Sequence, residues 1–364
     1  MIEFVDRVKY RFFRRAMSLG LQDPEQRPAI DRTGIINLGS VGMKTLVFVL
    51  ALGLLFAPAL SAQPPDSRWL DGMDLSWAFP APSPDFPPED LSAVKHLPES
   101  SKSYTQGQID DIYNPPDWYP EEHAPFPNVV ARGEGKATPG CASCHLASGS
   151  GHPESANLTG LTANYLLAQI HEFQQGIRTD PRHRMSDIAK GMTEQDAKDA
   201  AAYFSGQKPR HWIRVVETDT VQESYVNEGH RRYLRPGGKM EPIGLRVIEV
   251  PEVPERITCR DPHTGFVAYV PMGSLEKGKD LVMTGGGGKT TACIACHGPQ
   301  LLGVGPVPRI AGHSPTYIVR QLAGFQVGAR NSEMDQLMKD VVANLTQEDI
   351  VSLAAYVSSL FPDK

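Results

Sequence analysis

Two pentapeptides constrain this chain more than anything else in it: Cys141-Ala-Ser-Cys144-His145 and Cys293-Ile-Ala-Cys296-His297. C-x-x-C-H is the attachment signature of c-type haem. The spacing follows from the chemistry. Two thiols on one helical turn add to the two vinyl groups of one porphyrin, and the next residue, histidine, lies under the iron and supplies its proximal nitrogen. Other uses of paired cysteines fit less well. A redox dithiol of the thioredoxin kind needs a βαβ context, and neither motif has one. A single shared zinc would have to join pairs 152 residues apart, each with its own histidine. The expectation is two covalently attached haem c groups, held through Cys141, Cys144, Cys293 and Cys296, with His145 and His297 on the irons.

The motifs belong to an internal repeat. At the same offset of 152, Gly160 maps onto Gly312, Tyr165 onto Tyr317, Gln169 onto Gln321, Phe173 onto Phe325, Gly176 onto Gly328 and Arg178 onto Arg330. One inserted residue then shifts the register, and Thr193, Asp196 and Tyr203 map onto Thr346, Asp349 and Tyr356. Each copy reads as mainly α-helical. Ser314-Pro315 and Thr162 open helices whose apolar residues recur at helical spacing (Ile318, Leu322, Phe325; Leu166, Ile170, Phe173). Thr193-x-x-Asp196 and Thr346-x-x-Asp349 have the form of capped starts of a second helix.

The register also selects a sixth iron ligand. Met185 and Met338 each stand eight residues before the cap threonines Thr193 and Thr346, whereas Met334 breaks that relation. A His/Met haem has a raised potential suited to electron transfer, so Met185 and Met338 are the expected partners of His145 and His297. Met192 reads as core filling, His183 as a surface residue near the haem edge, and the odd Cys259 as a buried small hydrophobe.

The run from Met43 to Gln63 has a lysine, an apolar stretch, then Pro58 and small residues, the order of a secretory signal peptide. Residues 1–42 read as an upstream extension, and 1–62 is excluded from the fold. The apolar stretch is shorter than the ~20 residues a spanning helix needs, so membrane association is expected only if it is retained. The rest carries 28 basic and 37 acidic residues, a net charge of −9. That excludes a nucleic-acid binder with a dominant basic face and favours a partner with a basic patch. Five cysteines in 364 residues exclude a disulfide scaffold.

Taken together, Cys293-x-x-Cys296-His297-Gly298, Pro308-x-Ile310-Ala311-Gly312, Tyr317, Gln321-x-x-Gly324-Phe325-x-x-Gly328-x-Arg330, Met338 and Leu345-Thr346-x-Glu348-Asp349 resemble the dihaem class I cytochromes c, in particular the cytochrome c4-like group. The first copy shows the same skeleton more weakly. The resemblance implies two haem lobes in the periplasm. They would pass single electrons between a redox protein donor (a dehydrogenase or quinol-oxidising complex, which could be membrane-bound) and a terminal oxidase or other acceptor. It also implies that the Pro308 carbonyl orients His297. Three departures stand out. Leu146 replaces the usual glycine. Ala156 stands where the second copy has Pro308, which suggests a differently oriented first haem. A connector of about 65 residues replaces a short linker, so close symmetric packing of the lobes is not assumed. A dihaem enzyme of the thiosulfate dehydrogenase or peroxidase kind, with one open or unusually ligated haem (Cys259 or His183), is the alternative.

The expected organisation is two tandem class I cytochrome c domains, 121–207 and 273–364. A Pro/Trp-rich arm, 63–120, precedes them and covers the first lobe, and a connector, 208–272, joins them. Proline at 31 of 364, about 8.5% against a usual ~5%, fits the extended arm. Leu245–Val250 and Gly265–Val270 read as short strands forming a hairpin or clasp. Gly285–Gly288 before Lys289-Thr290 lacks the first glycine of a phosphate loop and reads as a flexible loop.

Overall fold

A computed structural model describes residues 66–70, 72–133 and 138–361, all within the unit Leu60–Lys364. The signal-like run and the extension before it lie outside the described residues. Among those described, no helix is long and apolar enough to cross a membrane.

The arm carries a short antiparallel pair, β1 (Val94–His96) and β2 (Ser103–Thr105), then helix α1 (Gln106–Asp110). Its first aromatics do not cover the first lobe as expected. Trp69, Leu75, Ala78 and Phe79 are buried in the core of the second lobe, with Trp77 packed beside them. The reason lies in a helix of that lobe. The Trp69 indole lies over Gly324, where a Cβ would stand 2.7 Å from the ring, while the equivalent position in the first repeat is filled by Glu172. Trp118, later in the arm, packs with Leu97, Ile109, Tyr119 and Cys259. Its Nε1–H donates to the Cys259 carbonyl at 2.7 Å. Cys259 is thus the buried packing residue expected.

The first lobe contains α2 (Asn128–Ala131), α3 (Ala142–His145), α4 (Ala163–Gln175), α5 (Arg184–Lys190) and α6 (Glu194–Ser205). Thr162 caps α4, and Thr193 with Asp196 forms a reciprocal capping box on α6. Met192 lies in the lobe's core.

The connector is richer in strands than its sequence suggests: β3 (Ile213–Glu217), β4 (Thr220–Gln222), β5 (Ser224–Val226), β6 (Arg232–Leu234), β7 (Met240–Pro242), β8 (Ile248–Pro251) and β9 (Phe266–Val270). The two segments read as strands do pair, as β8 and β9 antiparallel. Helix α7 (Pro254–Thr258) intervenes, so they are not a tight hairpin. β3 joins β9 in parallel and completes a sheet in the order β3-β9-β8. Its core holds Trp212, Ile213, Val247, Ile257 and Phe266, with Leu146 from the first lobe and Val351 and Ala355 from the second. The clasp expected from sequence is therefore a mixed sheet gripping both lobes.

The second lobe comprises α8 (Ser274–Thr284), α9 (Ile294–His297), α10 (Pro315–Gln326), α11 (Asp335–Val342) and α12 (Gln347–Ser359). α8 crosses α12 so closely at Gly278 that a Cβ there would stand 2.0 Å from the Ser352 carbonyl oxygen. The four glycines 285–288 all adopt positive φ in a loop, and the lysine after them pairs with Asp349 in the α12 capping box. Burial alone would raise the Asp349 carboxyl; Lys289, Thr346 and Lys277 outweigh it and hold the group well below the usual carboxylate range.

The lobes meet through repeat-related residues, despite the long connector. Arg178 donates to Gln321 (2.8 Å) and Arg330 to Gln169 (3.0 Å). Arg178 stacks on Phe173 and Arg330 on Phe325. The backbones join as Thr179 N–H to Ala329 O (2.8 Å) and Asn331 N–H to Ile177 O (3.1 Å). The seam is a pseudo-symmetric contact that the connector's length gave no reason to expect.

Candidate haem sites

α3 and α9 are each a single turn, closed by His145 N–H to Cys141 O (3.0 Å) and His297 N–H to Cys293 O (2.9 Å). Both place two thiols and a histidine on one turn, as the attachment chemistry requires. His297 Nδ1–H donates to the Pro308 carbonyl at 2.8 Å, and His145 Nδ1–H donates to the Ala156 carbonyl, also at 2.8 Å. The expectation of a differently oriented first site is thereby corrected. The orienting group is a backbone carbonyl, and alanine supplies it as well as proline does. Neither Nε2 takes a protein hydrogen bond, so each ring presents that nitrogen for coordination, held by a contact of the kind that tunes a metal ligand. Burial lowers both imidazole pKa values, against the opposing carbonyl bonds. The rings are neutral, the form that can ligate a metal.

The cysteines form no disulfides. Burial pushes the Cys141 thiol up to about 12 and Cys293 up to about 11. A reactive redox dithiol shows the reverse, a lowered pKa. Among the described residues no three His, Cys, Asp or Glu side chains converge to hold a metal ion, so the shared-zinc reading has no site.

Met185 lies half-buried in α5. Met338 lies half-buried in α11 and, like Cys293 and Ile294, packs on the core cluster of the second lobe, whereas Met334 is 58% exposed. His183 stands before α5 with φ +56, its side chain 44% exposed and 4.0 Å from Asp66. Cys259 belongs to a cluster separate from both motifs.

The first site departs from the second at its rim. Leu146 follows the motif with φ 61 and ψ 162, where Gly298 has φ 82 and ψ 163. Buried arginines also surround the sites. Arg231 and Arg260 come from the connector, Arg330 from the seam, and each has an Nε that is buried without a partner. Burial lowers Arg260 and Arg309 to about 10. Buried cations with orphaned donors are costly, and anionic propionates are the groups that would relieve them. Thiols, oriented histidines and arginines with orphaned Nε groups together fit two haems. The arginines and the seam were the part sequence reading missed. The repeat marked Gln169, Arg178, Gln321 and Arg330 as shared positions, but nothing in the sequence marked Arg231 or Arg260.

Comparison with known proteins finds a matching family and several similar proteins. The family described as Cytochrome c matches residues 130–208 and 275–361. Cytochrome c4 of Pseudomonas aeruginosa is 26% identical over 235 residues, 64% of this chain and 88% of its own. Cytochrome c-554(548) of Halomonas halodenitrificans is 36% identical over 72 residues, 20% of this chain and 87% of its own. The thiosulfate dehydrogenase electron acceptor of Thiomonas intermedia is 27% identical over 224 residues, 60% of this chain and 77% of its own. Among solved structures, the cytochrome c4 of Acidithiobacillus ferrooxidans aligns with a TM-score of 0.42 at 23% identity, over 60% of this chain and 98% of that one.

Proposed function

Because the chain belongs to the cytochrome c family, as a dihaem protein of the cytochrome c4-like group with two covalently bound haem c, we propose that it is a periplasmic single-electron carrier with both irons closed by protein side chains. In this reading the domains are 121–207 and 273–364. Cys141 and Cys144 hold the first haem and Cys293 and Cys296 the second. His145 with Met185, and His297 with Met338, take the axial positions.

One observation carries the reading. Both histidines are held alike, each through Nδ1 on a carbonyl eleven residues on, each with Nε2 unengaged. The repeat-matched methionines support the other half, since Met338 packs on the lobe core and Met334 does not. The bound haem supplies the one-electron chemistry. The chain's own residues fix the two ligands, exclude water with the apolar walls of each lobe, and leave no axial position for a substrate. Transfer rather than catalysis follows. The dihaem-enzyme alternative would need one haem left open or ligated by Cys259 or His183; Cys259 is buried beside Trp118 and His183 is half-exposed beside Asp66, and the carbon monoxide test below decides on an open haem.

Export fits covalent haem attachment and the signal-like run at 43–62. The donor in this reading is a dehydrogenase, and the name of the Thiomonas relative makes one acting on thiosulfate a reasonable first trial. The acceptor is a terminal oxidase or another redox protein. The test is a redox titration of the haem-loaded protein followed by visible absorption, with and without carbon monoxide. Two low-spin haems indifferent to carbon monoxide are expected. Met185→Ala and Met338→Ala should each open one haem to carbon monoxide and leave the other closed. A wild-type haem that binds carbon monoxide would overturn the assignment.

A further inference from the structure

The two haem motifs are repeats, yet the rest of the chain treats them unequally. In the first, Ala142 and Ser143 are 3% and 4% exposed and Cys144 is half-buried. In the second, the equivalent Ala295 and Cys296 are exposed. His152 and Val304 hold one position in the repeat, each bridging the backbone three residues on. His152 is half-buried and Val304 is 58% exposed.

The connector makes this difference. It seats Leu146 in its own core. It also brings Arg260, in a left-handed conformation after α7, onto the motif itself, where Nη1 donates to the Ser143 carbonyl. The Arg260 side chain is 10% exposed, and its one carboxylate contact among the described residues is distant, Asp110 at 3.9 Å. Arg231, 7% exposed, makes no ion pair among the described residues. Arg260 thus lies against the first motif itself, and burial, then the charges of Arg231 and Arg260, hold the imidazole of His152, seven residues beyond His145, far below its usual pKa. A third arginine there, Arg320, is neutralised by Glu154 at 2.7 Å. Among the described residues the second site has one such arginine, Arg309, which also makes no ion pair, but its guanidinium reaches across to Thr159 and Asn157 of the first lobe, and Lys277 and Lys289 are taken up by Asp349.

We propose that the connector makes the first haem the one of higher potential, through Arg260 and Arg231, and leaves the second as the open end through which electrons enter and leave. The proposal rests on the reading that each lobe holds one closed haem. An iron that gains an electron loses one unit of positive charge. Buried cations beside it, including any set against a haem propionate, therefore favour the reduced state, strongly where the dielectric is low. An electron delivered at the second lobe would pass inward and rest on the first.

The test is a redox titration of the loaded wild type and of Arg260→Gln, resolved into two one-electron steps. The upper step is expected to fall by at least a tenfold change in its equilibrium constant, about 59 mV, while the lower step stays in place. Arg260→Lys, which keeps the charge, should restore most of the shift. Arg231→Gln should move the same step in the same direction, and it decides the matter if Arg260→Gln does not load both haems. Movement of the lower step, or of neither, overturns the proposal. A wild type that loads fewer than two haems would instead overturn the reading beneath it.

Discussion

Leu146 sits in a backbone region that is nearly restricted to glycine, at a cost of about 1–3 kcal/mol for any other residue. Its side chain is 7% exposed, buried among Trp212, Ile213, Val247 and Phe266. Truncating a buried leucine costs about 2–5 kcal/mol, so packing outweighs strain and the native residue is the stable choice. The two effects separate in a pair of variants. Leu146→Ala keeps the strain and loses the packing; Leu146→Gly loses the packing and relieves the strain. Denaturant unfolding of the loaded protein should find both destabilised, with the glycine variant the more stable by about 1–3 kcal/mol. An alanine variant at least as stable as glycine would mean that the site is unstrained. The sequence showed that a glycine was missing here, because the second repeat displays it. The sequence could not show the compensation, since Trp212 and Phe266 lie 66 and 120 residues away. At Ala156 the sequence misled, because a carbonyl carries the function and every residue has one.

At the scale of the element, local signals were legible and distant ones were not. The caps at Thr162, Thr193, Ser314 and Thr346 all form, because a cap is decided within four residues. The sheet depends instead on β3 meeting β9 some 50 residues on, and strands of three to five residues carry little periodicity. Glu249 shows the consequence. In an alternating strand it would face water, but β8 is buried on both faces. One Glu249 oxygen accepts from Ser314 Oγ at 2.7 Å and the other has no partner. Burial pushes its carboxyl up to about 7, against the Ser314 and Thr316 hydrogen bonds. The folded pKa therefore lies above the unfolded value of ~4.3, and the folded state holds the proton more tightly. The associated stability is complete below that unfolded pKa and lost as pH rises through about 7. The loss amounts to roughly 3–4 kcal/mol. Glu249→Gln, which cannot ionise, should flatten this dependence and be the more stable protein at pH 8, with little difference at pH 4. Unfolding free energies measured at both pH values check it. An unchanged slope in the variant would place the titrating group elsewhere.

Across the whole molecule, duplication was legible while the use made of it was not. A repeat reports that Gln169, Arg178, Gln321 and Arg330 recur, and the structure supplies the reason: each arginine binds the glutamine of the other lobe. The arm and the connector then break the symmetry that the seam sets up. Trp69 goes to the second lobe, where Gly324 admits it, and Arg260 goes to the first. The seam can be tested as a unit. Arg178 and Arg330 share both glutamines as acceptors, so removing either one already loosens the contacts of the other. Residues in one hydrogen-bond network show coupling energies of about 0.5–3 kcal/mol. In Arg178→Ala, Arg330→Ala and the double variant, the double should therefore be less destabilised than the sum of the singles. Asp335 pairs with Arg330 at 3.2 Å in the second lobe only, so the Arg330 single should be the more damaging. Denaturation followed separately at each lobe should also change from one shared transition in the wild type to two in the double variant. Strict additivity with a single transition retained would show that the sheet and the arm hold the lobes together, and that the seam only aligns them.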